Sequence, residues 1–128
     1  MANITPTYTL FDKLPVILIE WDAFTANGDV GLAFDSWKTG NFYNHLFRGA
    51  SCIITRTVAA AAFDVDVNVS LDDTKYEATN INNVTGPDVY VHEIPVGDNA
   101  EVKWRYWKID IVAIGLNNNL KVQLWLYK

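Results

Sequence analysis

The strictest alternation in the chain runs from Phe63 to Leu71. Phe63, Val65, Val67, Val69 and Leu71 hold one parity, and Asp64, Asp66, Asn68 and Ser70 hold the other. Successive side chains of a strand point to opposite faces of its sheet, so this period predicts an apolar inner face and an acidic, wet outer one. Leu14 to Trp21 is patterned differently. Val16 and Leu18 share one face and Ile17 and Ile19 the other, which predicts a strand covered on both sides. Shorter β-prone stretches follow at Tyr8 to Phe11, Val30 to Phe34, Ser51 to Val58, Lys75 to Thr79 and Val89 to Ile94. Turn signals at Asn27-Gly28-Asp29, Asp72-Asp73-Thr74 and Gly86-Pro87 separate them. About eight short strands at this spacing predict a mainly β fold, an antiparallel β-sandwich or jelly roll. One short helix is expected at Asn41 to Gly49. Asn41 can cap its start, Phe42 shares a face with His45 and Leu46, and Gly49 can end it. Ala59 to Ala62 favours helix by composition but has neither cap nor length.

The last third carries two long β-prone runs, Val102 to Ile114 and Leu120 to Tyr127, with Asn117, Asn118 and Asn119 between them. This arrangement predicts a β-hairpin. A turn centred on Asn117-Asn118 would pair Ile111 with Leu124 and Ala113 with Val122. One face then gathers Trp107, Ile109, Ile111, Ala113, Val122, Leu124 and Leu126. The reverse gathers Val112, Ile114, Trp125 and Tyr127 among Lys108, Asp110, Lys121 and Gln123. A one-residue slip would mix apolar and polar groups on both faces, so this register is preferred. The apolar parity changes between Trp104-Tyr106 and Trp107-Ile109, which predicts a bulge or bend at Tyr106-Trp107.

Size and composition narrow the function. The 128 residues and 14.4 kDa suit a single β-sandwich domain over residues 1–128, and half of the residues are hydrophobic, with five tryptophans among them. Such a chain can bury a core without metal or disulfide. The net charge is −5, and beyond the short Lys103–Arg105–Lys108 group the cations are scattered, so nucleic acid is not an expected partner. The single Cys52 lies in the apolar run Cys52-Ile53-Ile54 and reads as a buried, inert thiol. No signal peptide and no stretch able to span a bilayer is visible, so synthesis in the cytoplasm is expected. Three tripeptides at Asn3, Asn68 and Asn83 fit the glycosylation pattern. With twelve asparagines, and no secretion signal, they read as accidental.

Chemistry-bearing constellations are sparse. Asp64-Val65-Asp66-Val67-Asn68 imitates the start of a calcium loop, but Val69 stands where glycine is needed and Lys75 where the bidentate acid belongs. Asp64 and Asp66 could join Asp72, Asp73 or Glu77 in a surface site, and a solvated strand face is the preferred reading. His45 and His92 have no ligand partner at metal spacing, and His92 and Glu93 would point to opposite faces of a strand. There is no nucleophile elbow and no phosphate loop. The expectation is a protein without enzymatic activity, cofactor or metal.

One group remains with a mechanism. Trp104, Tyr106, Trp125 and Tyr127, with Val112 and Ile114 beside them, lie among charges on the reverse of the expected hairpin. Aromatics in such a setting anchor protein interfaces. They can instead stack on sugar rings, or be covered by a loop or the short helix of the same domain. Trp125 is the expected main anchor.

Met1-Ala2-Asn3 without a targeting segment, asparagine-rich turns and a final strand at Leu120 to Tyr127 together resemble small phage virion accessory proteins. These are compact β-sandwich or jelly-roll domains that decorate a capsid or sit in a tail assembly. The resemblance is one of class and lends no functional residues. It implies a non-enzymatic role in the virion, self-association that is commonly trimeric, and adhesion to another virion protein. A carbohydrate-binding module or lectin using the same aromatics is the alternative.

Overall fold

The structure is a computed structural model that describes residues 2–11, 16–38, 49–57, 63–83, 89–93, 104–115 and 118–127. Its strands are β1 (Asn3–Ile4), β2 (Thr7–Leu10), β3 (Val16–Phe24), β4 (Val30–Asp35), β5 (Gly49–Arg56), β6 (Phe63–Ser70), β7 (Glu77–Asn83), β8 (Val89–Glu93), β9 (Tyr106–Ile114) and β10 (Leu120–Tyr127). They form two five-stranded sheets. The front sheet runs β1-β4-β9-β6-β7 and the back sheet β2-β3-β10-β5-β8. The described pairings are antiparallel except β1 with β4. Ser36–Lys38 forms one 3₁₀ turn after β4. The helix expected at Asn41 to Gly49 lies outside the described residues except for Gly49, which opens β5. Ala59 to Ala62 also lies outside them.

A mainly β sandwich is thus the architecture, and its core is a single layer between the sheets. Val65, Val67, Ile109 and Trp107 come from the front, and Ile17, Ile19, Cys52, Val122 and Leu124 from the back, all at 0% exposure. Burying each such aliphatic side chain contributes roughly 1.5–3 kcal/mol. Gly31 shows how tightly the layers meet. A Cβ there would lie 2.7 Å from Trp21 Cδ1 and 2.9 Å from Ile109 Cβ. The same tryptophan donates its Nε1 hydrogen to Leu32 O at 3.0 Å. Burial pushes the Cys52 thiol up to about 12, which removes it as a nucleophile.

The expected C-terminal hairpin is not formed. β9 sits at the centre of the front sheet between β4 and β6, and β10 at the centre of the back sheet between β3 and β5. Leu124 pairs with Ile19 and Cys52 rather than Ile111, and Val122 with Trp21 and Ile54 rather than Ala113. Between the two strands the chain crosses from sheet to sheet. The corner is tied to the end of β5: Thr57 N donates to Asn119 O at 3.2 Å, and Asn119 N donates to Thr57 Oγ1 at 3.0 Å. The period of two settles which side of each strand faces inward, and Trp107, Ile109, Ile111, Val122, Leu124 and Leu126 are indeed all buried. It does not settle which strand lies alongside.

Two local expectations also change. The ladder from Tyr106 to Ile111 against β6 is regular, and the irregularity falls at Val112, where Ile111 pairs with Val65 and Ala113 with Asp64. Trp104 breaks the parity because it precedes the strand. Leu71 was expected inside but lies past the end of β6 and is 53% exposed. Asn68 and Ser70, expected in water, are instead 6% and 0% exposed. Asn68 Nδ2 donates to Asp110 Oδ2 at 2.8 Å, and Ser70 Oγ accepts from Asp72 N at 3.2 Å and Asp73 N at 3.0 Å. Cross-strand and turn partners thus cover a polar face that alternation alone would leave open.

Besides its pairing with β4, the N-terminal segment is clasped by one carboxylate. Asp29 is 1% exposed and accepts from Ala2 N at 2.8 Å, Thr25 N at 2.9 Å and Ala26 N at 3.0 Å. Burial alone would raise its pKa, but the three backbone donors outweigh burial and hold it below the usual carboxylate range.

Val67→Asp would bury an unpaired charge and should cost several kcal/mol, on the order of the whole stability margin. Asp66→Asn, on the outer face, should be nearly silent. Equal melting temperatures for the two variants would contradict the inward assignment. The Asp29 clasp should act above the ordinary aspartate pKa of 3.8 and fade as pH falls through the lowered native value. Asp29→Asn should therefore be less stable than the parent at neutral pH, and denaturant titrations of the two should converge under acid.

Candidate functional site

The six residues expected to form one face are divided by the sandwich. Tyr106 lies on the outer face of the front sheet, in register with Asp35 and Ser70. Trp104 precedes β9 and is partly buried against the core. Val112 is 50% exposed at the bulge, while Ile114 packs on the core edge with its N–H donating to Asn27 Oδ1 at 2.8 Å. Trp125 and Tyr127 point outward from the back sheet, opposite in parity to the buried Leu124 and Leu126. No single aromatic face unites them, because β9 and β10 belong to different sheets.

At one end of the front sheet an arginine organises two aromatic rings. Arg105 Nε and Nη2 donate to the two carboxylate oxygens of Asp35 at 2.9 and 2.8 Å. Its guanidinium carbon lies 5.0 Å from the Trp37 ring centre and 4.9 Å from that of Tyr106. The planar, permanently charged fork suits both the carboxylate and the ring faces. Ser36 Oγ donates to Arg105 O at 2.7 Å and Ser36 N to the same oxygen at 2.9 Å, which locks the 3₁₀ turn to the entry of β9. Beside this stack, Leu71, Asp72, Lys75, Tyr76, Glu77 and Trp104 line a cleft of about 350 Å³. The turn beneath it is rigid. Asp72 Oδ1 accepts from Thr74 N and Lys75 N, each at 2.9 Å, and Asp73 takes a left-handed φ of 63°. Those backbone donors hold the Asp72 carboxyl far below its usual range. Tyr76 donates its hydroxyl to Asp73, and Lys108 Nζ lies 4.4 Å from its ring centre. Burial and the Asp73 carboxylate push the Tyr76 phenol up, so it stays protonated.

The two outer faces differ in kind. On the front sheet Asn80 Nδ2 bridges Asp64 and Asp66, at 2.7 Å from the latter, beside the Asn68–Asp110 pair. The calcium-like aspartates are thus tied by an amide. Among the described residues no three His, Cys, Asp or Glu side chains converge on a metal site. On the back sheet the register sets Ile53 between Gln123 and Val91, and Trp125 between Leu18 and Ser51. Val91 is 59% and Val89 45% exposed. Phe11 stacks on Trp125 at 5.7 Å, and Ser51 Oγ donates to the Tyr127 hydroxyl at 3.1 Å. Trp125 Nε1 is shielded from solvent and has no hydrogen-bond partner among the described residues. Besides Ser51 and Thr55, this face carries a polar group around Glu20, with Lys121 Nζ at 3.1 Å and Gln123 Nε2 at 3.0 Å. The Gln123 amide, then Lys121, hold the Glu20 carboxyl low against burial.

His92 turns inward and stacks on Tyr90 with ring centres 6.2 Å apart; His45 lies outside the described residues. No helix among the described residues is long and apolar enough to cross a membrane. Compared with known proteins, the chain matches no family model, no curated protein and no solved structure.

Of the cleft, sequence reasoning reached Trp104 as a contact residue, and Asp72 and Glu77 only as possible members of a surface acidic group. Leu71 sat in the wrong compartment, and Trp37, Tyr76 and Arg105 carry no motif. The Ser70-Leu71-Asp72-Asp73-Thr74 turn chemistry was the one available signal, since such a turn fixes the side chains around it.

Arg105→Ala should release Trp37 from its stack, weakening the near-ultraviolet tryptophan dichroism while the far-ultraviolet β signal stays. Arg105→Lys, which keeps charge but not the planar fork, should restore little of it. An unchanged near-ultraviolet spectrum in both would show that the guanidinium does not position Trp37.

Proposed function

We propose that the protein is a non-enzymatic assembly protein, a virion accessory or decoration domain that associates with copies of itself and with a larger shell through the outer face of its back sheet. The observation that carries this reading is the contrast between the two outer faces. An antiparallel sheet wet on one side alternates apolar-in and polar-out, as the front sheet does with Asp64, Asp66 and Asp110. The back sheet follows that rule less closely, with Leu18, Ile53, Val89, Val91, Trp125 and Tyr127 directed outward among Glu20, Ser51, Thr55, Lys121 and Gln123. Clustered apolar groups of this kind are what association removes from water.

The winding of the chain supports a jelly roll as the finer description of the fold. Strands β3-β10-β5-β8 face β4-β9-β6-β7, and of the connections from β3 to β10 only β6–β7 stays within one sheet. Eight strands wound in this manner, with β1 and β2 added at the edges, fit the double-sheet jelly roll used by capsid and lectin domains. The role is argued from the surface and not from the fold, because one fold serves many functions. Val91 lies on the edge strand β8 and Trp125 at the centre of the same face, so the face and the sheet edge can be covered together.

Light scattering should find a stable oligomer, with a trimer as the expected state. Val91→Glu, at a position 59% exposed, should shift the mass to monomer without loss of β-sheet dichroism. Trp125→Ala should weaken association at least tenfold, as truncation of a central interface tryptophan typically costs at least about 2 kcal/mol. A parent protein that is monomeric at high concentration and does not bind virion shells would overturn the reading.

A further inference from the structure

We infer that the cleft between the β6–β7 turn and Trp104 binds a neutral saccharide chain, with Trp104 and Tyr76 as apolar walls and Asp72, Lys75 and Glu77 as its hydrogen-bonding rim. The site uses neither the back sheet nor self-association, so it stands independently of the assembly role. Its size falls in the range of small-molecule sites, about 300–1,000 Å³. Its chemistry is divided. One part is aromatic and aliphatic, from Trp104, Tyr76 and Leu71; the rim presents two carboxylates and one amine. A sugar ring has the same division, with a C–H face that packs on aromatic carbon and hydroxyls at its edge that donate to carboxylates.

Charge decides against the neighbouring classes. Two acidic rim groups against one lysine disfavour a phosphate or an acidic sugar. A cationic ligand beside Tyr76 would be repelled by Lys108, whose Nζ lies 4.4 Å from that ring's centre, whereas a neutral sugar would not. A purely apolar ligand would leave the rim carboxylates desolvated without partners. The cleft is also built in advance. Its turn is fixed by four backbone N–H bonds to Ser70 Oγ and Asp72 Oδ1, and Tyr76 is held by Asp73. Little ordering remains to be done when a ligand arrives. Next to Trp104, Arg105 carries the half-exposed Trp37, which offers a further stacking surface to a chain longer than one ring.

The full chain should be titrated with neutral hexasaccharides of glucose, galactose and N-acetylglucosamine, and with hexagalacturonate as the acidic probe, following tryptophan fluorescence and heat. At least one neutral probe should bind saturably in the millimolar range or tighter and quench fluorescence, and the acidic probe should bind at least tenfold more weakly. Leu71→Arg and Glu77→Gln change exposed side chains outside the core. Each should lower affinity at least tenfold with unchanged far-ultraviolet dichroism, while Trp125→Ala on the back sheet should leave it unaltered. The inference is overturned if no neutral probe binds, if the acidic one binds better, if binding survives both Leu71→Arg and Glu77→Gln, or if Trp125→Ala abolishes it.

Discussion

The burial of β9 and β10 in one shared core is the constraint on which the rest of the molecule depends. Consecutive in the chain, they stand at the centres of opposite sheets, and their inner sides close the sandwich with Trp107, Ile109 and Ile111 facing Val122, Leu124 and Leu126. Each centre strand then satisfies both of its hydrogen-bonding edges with other strands. A hairpin between them would have joined the same apolar sides into one sheet face and left that face without a second layer. Packing across the layers buries both runs at once, and the cost is a loop that must cross the end of the sandwich. The asparagine corner, bonded to Thr57, makes that crossing.

The division of the surface follows from this winding. The front sheet receives the strands whose outer parity is acidic or amide-bearing, and cross-strand hydrogen bonds through Asn68 and Asn80 tie that face together. The back sheet receives β3, whose Ile17-Leu18-Ile19 run is apolar on both parities, together with strands whose outer parity mixes apolar and polar residues. Its outer face therefore carries Leu18, Ile53 and Trp125 beside the Glu20 group. Assembly through that face would leave the cleft on the front sheet and its turns directed away from the contact. Copies held together in this way would present several clefts at once, and linked weak sites gain avidity without new contacts.

Arg105 connects the sheet to the site. It lies between Trp104, which lines the cleft, and Tyr106, which begins β9, and its guanidinium holds Trp37 and Asp35 from the preceding part of the chain. The stability of that end and the presentation of its aromatics thus rest on the same group.

Alternation in Phe63 to Ser70, two-sided hydrophobicity in β3 and the two terminal runs determined the strands and which side of each is buried, since those depend only on the period of the side chains. The buried Cys52 was legible for the same reason. Strand partners were not. Pairing is decided by backbone hydrogen bonds that carry no residue code, and by which combination of apolar faces can be covered together, a property of the whole chain. That is why Trp125 and Tyr127 parted from Trp104 and Tyr106, and why Val112 rather than Tyr106 carries the bulge. The cleft was hidden because Leu71, Tyr76 and Trp104 are brought together by the β6–β7 turn meeting the entry of β9, a contact that exists only once β6 has paired with β9 in the front sheet.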